Sequence, residues 1–382
     1  MEYKLSDLFD LQMGKTPDRH TPEYWTDGTE QWISISDLSK CDKYIEETAE
    51  AISEQAINDS GIKIIPASTV IMSFKLSIGK VAITPKPMYS NEAIMAFIDK
   101  GVIPIEPAYL YFLLKAKDWD EGTNKAVMGK TLNKATLSQV KVHIHDMAEQ
   151  RKIIRALEKA ESMVTTRRQQ LTALDTLIKA RFVEMFGSIH DSDKFPYIPV
   201  KKLTNVVSGG TPSRDVSEYW DNGDIPWVKT TELQNSVIES VDEYITEKGK
   251  NNSAAKIVPV GTVLVAMYGQ GKTRGMTGYL GIEATTNQAC ACILPSNHIN
   301  MMYLWKYFEL SYDKLRSLAQ GGGQPNLNVN IIKSFHVLVP PREMQDSFVL
   351  FVHQVNKSKA VVQKALDEAQ TLFDSLMQQY FG

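Results

Sequence analysis

Thr16-Pro17-x-Arg19-x-x-x-Glu23-Tyr24-Trp25 returns as Thr211-Pro212-x-Arg214-x-x-x-Glu218-Tyr219-Trp220, at an offset of 195 residues. Gly28, Trp32 and Leu38 come back without a gap as Gly223, Trp227 and Leu233, so 9 of the 23 positions from Thr16 to Leu38 are identical. The same offset relates Leu132-Asn133 to Leu327-Asn328, and Phe186-Gly187 to Phe381-Gly382. A period this long is no solenoid repeat. It is a duplicated domain, and two like domains in one chain suit a ligand with two like sites.

Outward from the repeat, each copy reads as a mixed α/β (α+β) domain followed by one long helix. Val70–Phe74 and Val140–Ile144 have strand character in the first copy, with Val263–Met267 and Phe335–Val339 as their counterparts. Tyr109–Leu114 and Tyr303–Phe308 read as short helices over the sheet. From Gln150 to Gly187 there is no proline, and apolar residues recur at alternating steps of four and three. The seam runs through Leu157, Val164, Leu171, Leu174 and Ile178, and through Val355, Val362, Leu366, Phe373 and Leu376 in the second copy. On this spacing Arg181 and Met185 also fall on the seam. Such a pattern is that of a coiled coil, and at 1.5 Å per residue each rod spans roughly 55 Å. The expected architecture is two pseudo-repeated globular domains, 1–149 and 188–344, separated by helices 150–187 and 345–382 that form an antiparallel coiled coil.

Charge is uneven within each copy. Residues 1–59 hold 5 Lys/Arg against 14 Asp/Glu, whereas residues 60–145 hold 11 against 6. Residues 188–254 hold 7 against 11, and residues 255–341 hold 7 against 3. The later part of each copy is therefore basic, and local potential rather than the net charge of -3 governs binding to a polyanion. The start, Met1-Glu2-Tyr3-Lys4-Leu5, lacks a signal-peptide core, and no stretch approaches the length of a membrane span, so a soluble, cytoplasmic protein is expected. Cys41, Cys290 and Cys292 have no paired metal spacing. Cys290-Ala-Cys292 alternates along an apolar strand and suits burial.

Motifs of catalysis are missing. Gly269-Gln270-Gly271-Lys272-Thr273 resembles the end of a phosphate-binding loop, but Ala266 stands where its first glycine belongs. There is no nucleophile elbow, no zinc-protease motif, and no Asn-Pro-Pro-Tyr or Asp-Pro-Pro-Tyr run of the amino-methylating enzymes. The chain reads as a binder that leaves chemistry to a partner. Three kinds of segment suit DNA. One is the glycine-rich loop holding Tyr268, Gln270, Lys272 and Arg274, with Lys75 and Lys80 in its counterpart; lysine and arginine meet phosphates or guanine edges and glutamine can pair with adenine. A second is Lys130 before Leu132-Asn133, with Gln324 and Asn326 before Leu327-Asn328. Asn133 and Asn328 themselves suit a turn-holding role. The third is Arg19 and Arg214 of the repeated motif, as phosphate contacts.

The combination resembles the DNA specificity subunit of type I restriction-modification systems. The resemblance is carried by Thr-Pro…Tyr-Trp…Gly…Trp in both copies, by Ser68-Thr69-Val70 and Gly261-Thr262-Val263, and by Thr286-Asn287-Gln288-Ala289. Gln150 and Pro340-Pro341…Gln345, each leading into a long helix, add to it. It covers essentially the whole chain. It implies that each domain reads one half of a bipartite double-stranded DNA target and that the helices act as an antiparallel spacer. It implies two methyltransferase (modification) subunits and restriction subunits as partners, with adenine methylation and cleavage carried out by them. The chain itself would be non-catalytic and hold no cofactor or metal, S-adenosylmethionine, ATP and Mg belonging to those partners. Two other readings are a specificity subunit for a fused methyltransferase-nuclease, and a coiled-coil adaptor that binds proteins rather than DNA.

Overall fold

The computed structural model describes residues 1–75, 77–119, 132–269, 271–321 and 325–382. Two compact units divide the chain: Met1–Arg168 together with Lys364–Gly382, and Gln169–Gln363.

In the first unit, strands Phe9–Met13, Ile94–Asp99, Thr69–Ser73 and Val81–Thr84 lie side by side in that order, all antiparallel. Thr69–Ser73 is buried along its whole length. Because alternate side chains leave a strand on opposite faces, Val70 and Met72 enter a core with Tyr109 and Phe112 of the helix Pro107–Ala116. Ile71 faces a smaller core with Ile33, Leu38 and Met88. A second sheet orders Glu50–Ile52, Glu30–Ile33 and Tyr89–Ser90.

The second unit repeats this plan. Val206–Ser208, Cys290–Ile293, Val263–Ala266, Thr277–Leu280 and Ser236–Ile238 form a five-stranded sheet, the last strand pairing parallel to its neighbour. At the matching edge of the first unit, the described residues show an isolated parallel bridge from Tyr44 to Ile83 of Val81–Thr84. Val263 and Val265 pack with Tyr303 and Tyr307 of the helix Met301–Leu310, while Leu264, Cys290 and Cys292 face the other core. Both cysteines are fully buried, and burial pushes the Cys292 thiol up to about 11.

Two helices of 40 residues, Met147–Phe186 and Arg342–Phe381, complete the chain. The first begins where Asp146 Oδ1 accepts from the Glu149 amide at 2.9 Å, and the second directly after Pro341. A buried glutamine secures each start. Gln150 accepts from the Glu106 amide at 3.0 Å and donates to the Pro104 and His145 carbonyls at 3.1 and 2.9 Å. Gln345 accepts from the Asn300 amide and donates to the Pro340 carbonyl, both at 2.8 Å.

The helices run antiparallel. In the first unit Ile153, Leu157 and Ala160 share a core with Phe373 and Met377, and in the second Ile178, Phe182 and Phe186 share one with Phe348, Val352 and Val355. Leu157, Val164, Ile178, Val355 and Phe373 are buried; Leu171, Leu174, Val362, Leu366 and Leu376 are half-buried. Near the end of the first helix the apolar face widens beyond the expected positions. Phe182 and Phe186 are fully buried beside the expected positions: Arg181 is half-buried, 5.7 Å from the Phe351 ring of the second helix and paired with Glu184 at 2.7 Å, and Met185 packs against the same core. The cause is a second neighbour: Phe186 meets Tyr303 of the globular core at 5.6 Å between centroids as well as Phe348 at 5.7 Å. A helix facing a domain and a helix at once needs an apolar face wider than a coiled-coil seam. Among the described residues, no helix is long and apolar enough to cross a membrane.

Candidate nucleic-acid interface

The repeated motif builds the same frame twice. Arg19 Cζ sits 3.7 Å from the ring centroid of Trp25, and Arg214 Cζ 3.6 Å from that of Trp220. Each of those rings meets a second tryptophan edge-on, Trp25 with Trp32 and Trp220 with Trp227, at 5.0 Å and 84° in both units. Trp32 and Trp227 are buried, and their Nε1 atoms donate to the carbonyls of Lys15 and Gly210 at 3.1 and 3.0 Å. Across each arginine stands a carboxylate: Glu50 accepts from Arg19 through both oxygens at 2.5 and 3.0 Å, and Glu243 pairs with Arg214 at 2.6 Å. Glu243 also pairs with Lys229 at 2.8 Å. The hydrogen bonds from Lys229 and, after it, Arg214 hold the Glu243 carboxyl below the usual range, against an opposing effect of burial. Gly28 and Gly223 are required by the adjoining strand, since a Cβ on either would fall 2.7 Å from backbone at Ala51 or Ile245.

Arg19 and Arg214, expected at phosphates, are thus held inside the frame, stacked and ion-paired, though each remains about half exposed. A buried Trp32 or Trp227 offers no free face to a base, whereas Trp25 and Trp220 are half-buried beneath the arginines.

The second unit brings two candidate segments together. Arg274 Nη1 donates to the Pro325 carbonyl, and the Leu327 amide to the Met267 carbonyl at 3.0 Å. Arg274, expected to reach DNA, therefore ties one loop to the other, with its Nε buried. Asn326 exchanges backbone hydrogen bonds with Gln320 at 2.9 Å, and its Oδ1 is buried without a partner among the described residues. Tyr268 and Lys272 are exposed. Leu327 is buried, and Asn328 Oδ1 caps the helix Val329–Ser334 by accepting from the Ile331 amide at 2.9 Å. Asn133 does the same for Lys134–Gln139, through the Thr136 amide at 2.9 Å, so the repeated Leu-Asn is a cap.

In the first unit, Lys75 lies 5.3 Å from the Phe74 ring centroid, half-buried, and Lys80 donates to Ser39 Oγ at 2.6 Å. Lys130, Gln270 and Gln324 lie outside the described residues. His143 and His145 stack edge-on at 4.8 Å, with His145 Nδ1 hydrogen-bonded to Tyr109 Oη at 2.7 Å.

The frame appears twice, the loops differ, and the comparisons with known proteins match that pattern. A family model described as the type I restriction modification DNA specificity domain matches residues 1–175 and again 194–370. The chain belongs to that family.

Among relatives of this specificity-domain family, the type I restriction enzyme MjaIX specificity subunit of Methanocaldococcus jannaschii is 23% identical over 387 residues, covering 94% of this chain and 88% of that one. The S subunit of a type I restriction-modification system from M. genitalium shares the fold at a TM-score of 0.58 and 13% identity, covering 100% of this chain and 96% of that chain. A chain from a structure concerned with complex assembly and conformational transition of the type I R-M system gives 0.60 at 13% identity, covering 100% and 97%.

Sequence reasoning missed several parts of this specificity-domain site. Glu50 and Glu243 occupy equivalent places but do not stand at the 195-residue offset, so a fixed-offset comparison passes over them. Tyr312 and Arg316, whose side chains reach the 268–275 loop, carry only the signal of i,i+4 spacing on a short helix.

Proposed function

We propose that this chain is the sequence-specific DNA-binding subunit of a type I restriction-modification complex, each globular domain reading one half of a bipartite duplex target. One observation supports this above others: the same Arg–Trp–Trp–Glu frame is built twice, while the loops that follow the strands Thr69–Ser73 and Val263–Ala266, Lys75–Lys80 and Tyr268–Gly275, share almost no sequence. A common scaffold with unlike loops suits two readers of unlike sequences. The basic later part of each domain supplies sequence-independent attraction to phosphates, with Lys75, Lys80 and Lys272 as contributors. Lys130, Gln270 and Gln324 remain assigned to the DNA by sequence alone.

Methylation and cleavage fall to partners in this reading: two methyltransferase subunits that bind S-adenosylmethionine, and restriction subunits that use ATP and Mg. The acidic first part of each domain suits protein docking better than DNA, so affinity for DNA should rise sharply once methyltransferase subunits bind. Domain exchange provides the test. Replacing 188–344 with the matching segment of another family member should change one half of the methylated site in host DNA and leave the other half unaltered. A chimera that methylates the original site would refute the proposal.

A further inference from the structure

Ten residues, 267–276, join the antiparallel strands Val263–Ala266 and Thr277–Leu280, a connection longer than hairpins usually carry. Three glycines in it take positive φ, Gly269 at 134°, Gly271 at 61° and Gly275 at 88°. Such a segment left to itself would sample many shapes.

One face of the helix Tyr312–Ser317 restrains it. Arg316 donates from Nη2 to the Gly271 carbonyl at 2.8 Å and from Nη1 to the Arg274 carbonyl at 2.6 Å. Tyr312, one turn earlier, donates from its hydroxyl to the Lys272 carbonyl at 2.6 Å, and Arg316 Nη1 also reaches that hydroxyl at 3.1 Å. Gly275 packs against the same pair, since a Cβ there would fall 3.0 Å from Arg316 Cγ and 3.5 Å from the Tyr312 ring. Three loop carbonyls are thereby fixed by two side chains, while Lys272 and Tyr268 stay exposed. A planar guanidinium serves two carbonyls at once, which a lysine cannot do with the same geometry.

We propose that Arg316 and Tyr312 are positioning residues that fix the Gly271–Gly275 stretch in its base-reading shape, so that sequence selection at one half-site depends on them. This rests on the reading of the second domain as a DNA reader. The corresponding loop of the first unit is held differently: Ser73 Oγ donates to the Ser77 carbonyl, the Gly79 amide donates to the Ser73 carbonyl at 3.0 Å, and Trp119 lies against Gly79. Loss of Arg316 should therefore be felt at one half-site only.

The test uses the full chain assembled with its methyltransferase subunits and a pool of random-sequence DNA duplexes, the methylated fraction being sequenced. Arg316→Ala should lower selectivity at one half-site on the order of ten- to a hundredfold, as expected when a binding loop must be ordered on contact. The other half-site should keep its wild-type profile. Arg316→Lys should rescue poorly. Tyr312→Phe removes one hydroxyl from a half-buried ring and should give a smaller relaxation at the same half-site, an outcome readable even if Arg316→Ala fails to fold. An unchanged profile in Tyr312→Phe and Arg316→Lys, or equal weakening at both half-sites, would overturn the positioning role while leaving the DNA-reader assignment intact. A wild-type complex that selects no sequence would overturn both.

Discussion

Arg214 is gripped on two sides: Trp220 lies 3.6 Å below its guanidinium carbon, and Glu243 meets it at 2.6 Å in the same plane of contacts that Arg19, Trp25 and Glu50 form in the first unit. A lysine at either position keeps the charge but gives up the stacked plane and, at Arg19, the forked hydrogen bonding to Glu50. Arg19→Lys and Arg214→Lys should each lower stability by about 1 kcal/mol, measured by urea unfolding. If these arginines acted chiefly on phosphate, the lysine variants would instead keep full stability and the salt dependence of DNA binding.

The Glu243 carboxyl titrates below its ordinary value of 4.5 because Lys229 first, and Arg214 second, bind its charged form. The stability it contributes is complete above that ordinary value and is lost as the pH falls through the lower folded one. Glu243→Gln should accordingly be less stable than wild type near neutral pH, and the gap should narrow in acid. Denaturation curves at about pH 7 and about pH 3 measure it. A gap of constant size would mean that ionisation of Glu243 is irrelevant to folding.

Removing the Gln345 side chain strands the buried Pro340 carbonyl and the partly buried Asn300 amide. Gln345→Ala should cost about 1–3 kcal/mol for each group left unpaired. Gln150→Ala strands three, the Glu106 amide and the Pro104 and His145 carbonyls, so it should cost more. Thermal unfolding of the two variants compared side by side would reveal the order; the reverse order would show that water reaches the Gln150 site.

Lys272 is exposed at the tip of the second unit's loop. As a phosphate contact it carries no sequence information, so Lys272→Ala should weaken specific and non-specific DNA alike. The slope of log affinity against log salt should become shallower by about 1. Fluorescence anisotropy of the assembled complex across a salt series would test this, and a slope equal to wild type would remove Lys272 from the interface.

The duplication and the antiparallel helices were legible because both rest on pattern: identical residues at one offset, and apolar residues at a helical period. The strands at Val70 and Val263 were legible for the same reason, being apolar on both faces. The internal partners of the arginines were not. Arg19, Arg214 and Arg274 carry the charge that DNA attracts, and sequence alone does not disclose that Glu50, Glu243 and the Pro325 carbonyl hold them. Those partners lie far along the chain or off the repeat offset. Likewise Phe182 and Phe186 are buried beside the expected Arg181 and Met185, which also pack against the second helix and the core, because a globular core, invisible to heptad counting, lies beside the helix.

The Arg–Trp–Trp–Glu frame makes its ring stacks and its arginine–carboxylate pairs among its own members. Formation of the frame therefore makes little demand on what the loops after Ser73 and Ala266 contain. Changes there can accumulate at slight cost to the scaffold, and a lineage carrying this gene is free to acquire new targets by loop drift or by exchanging one whole half.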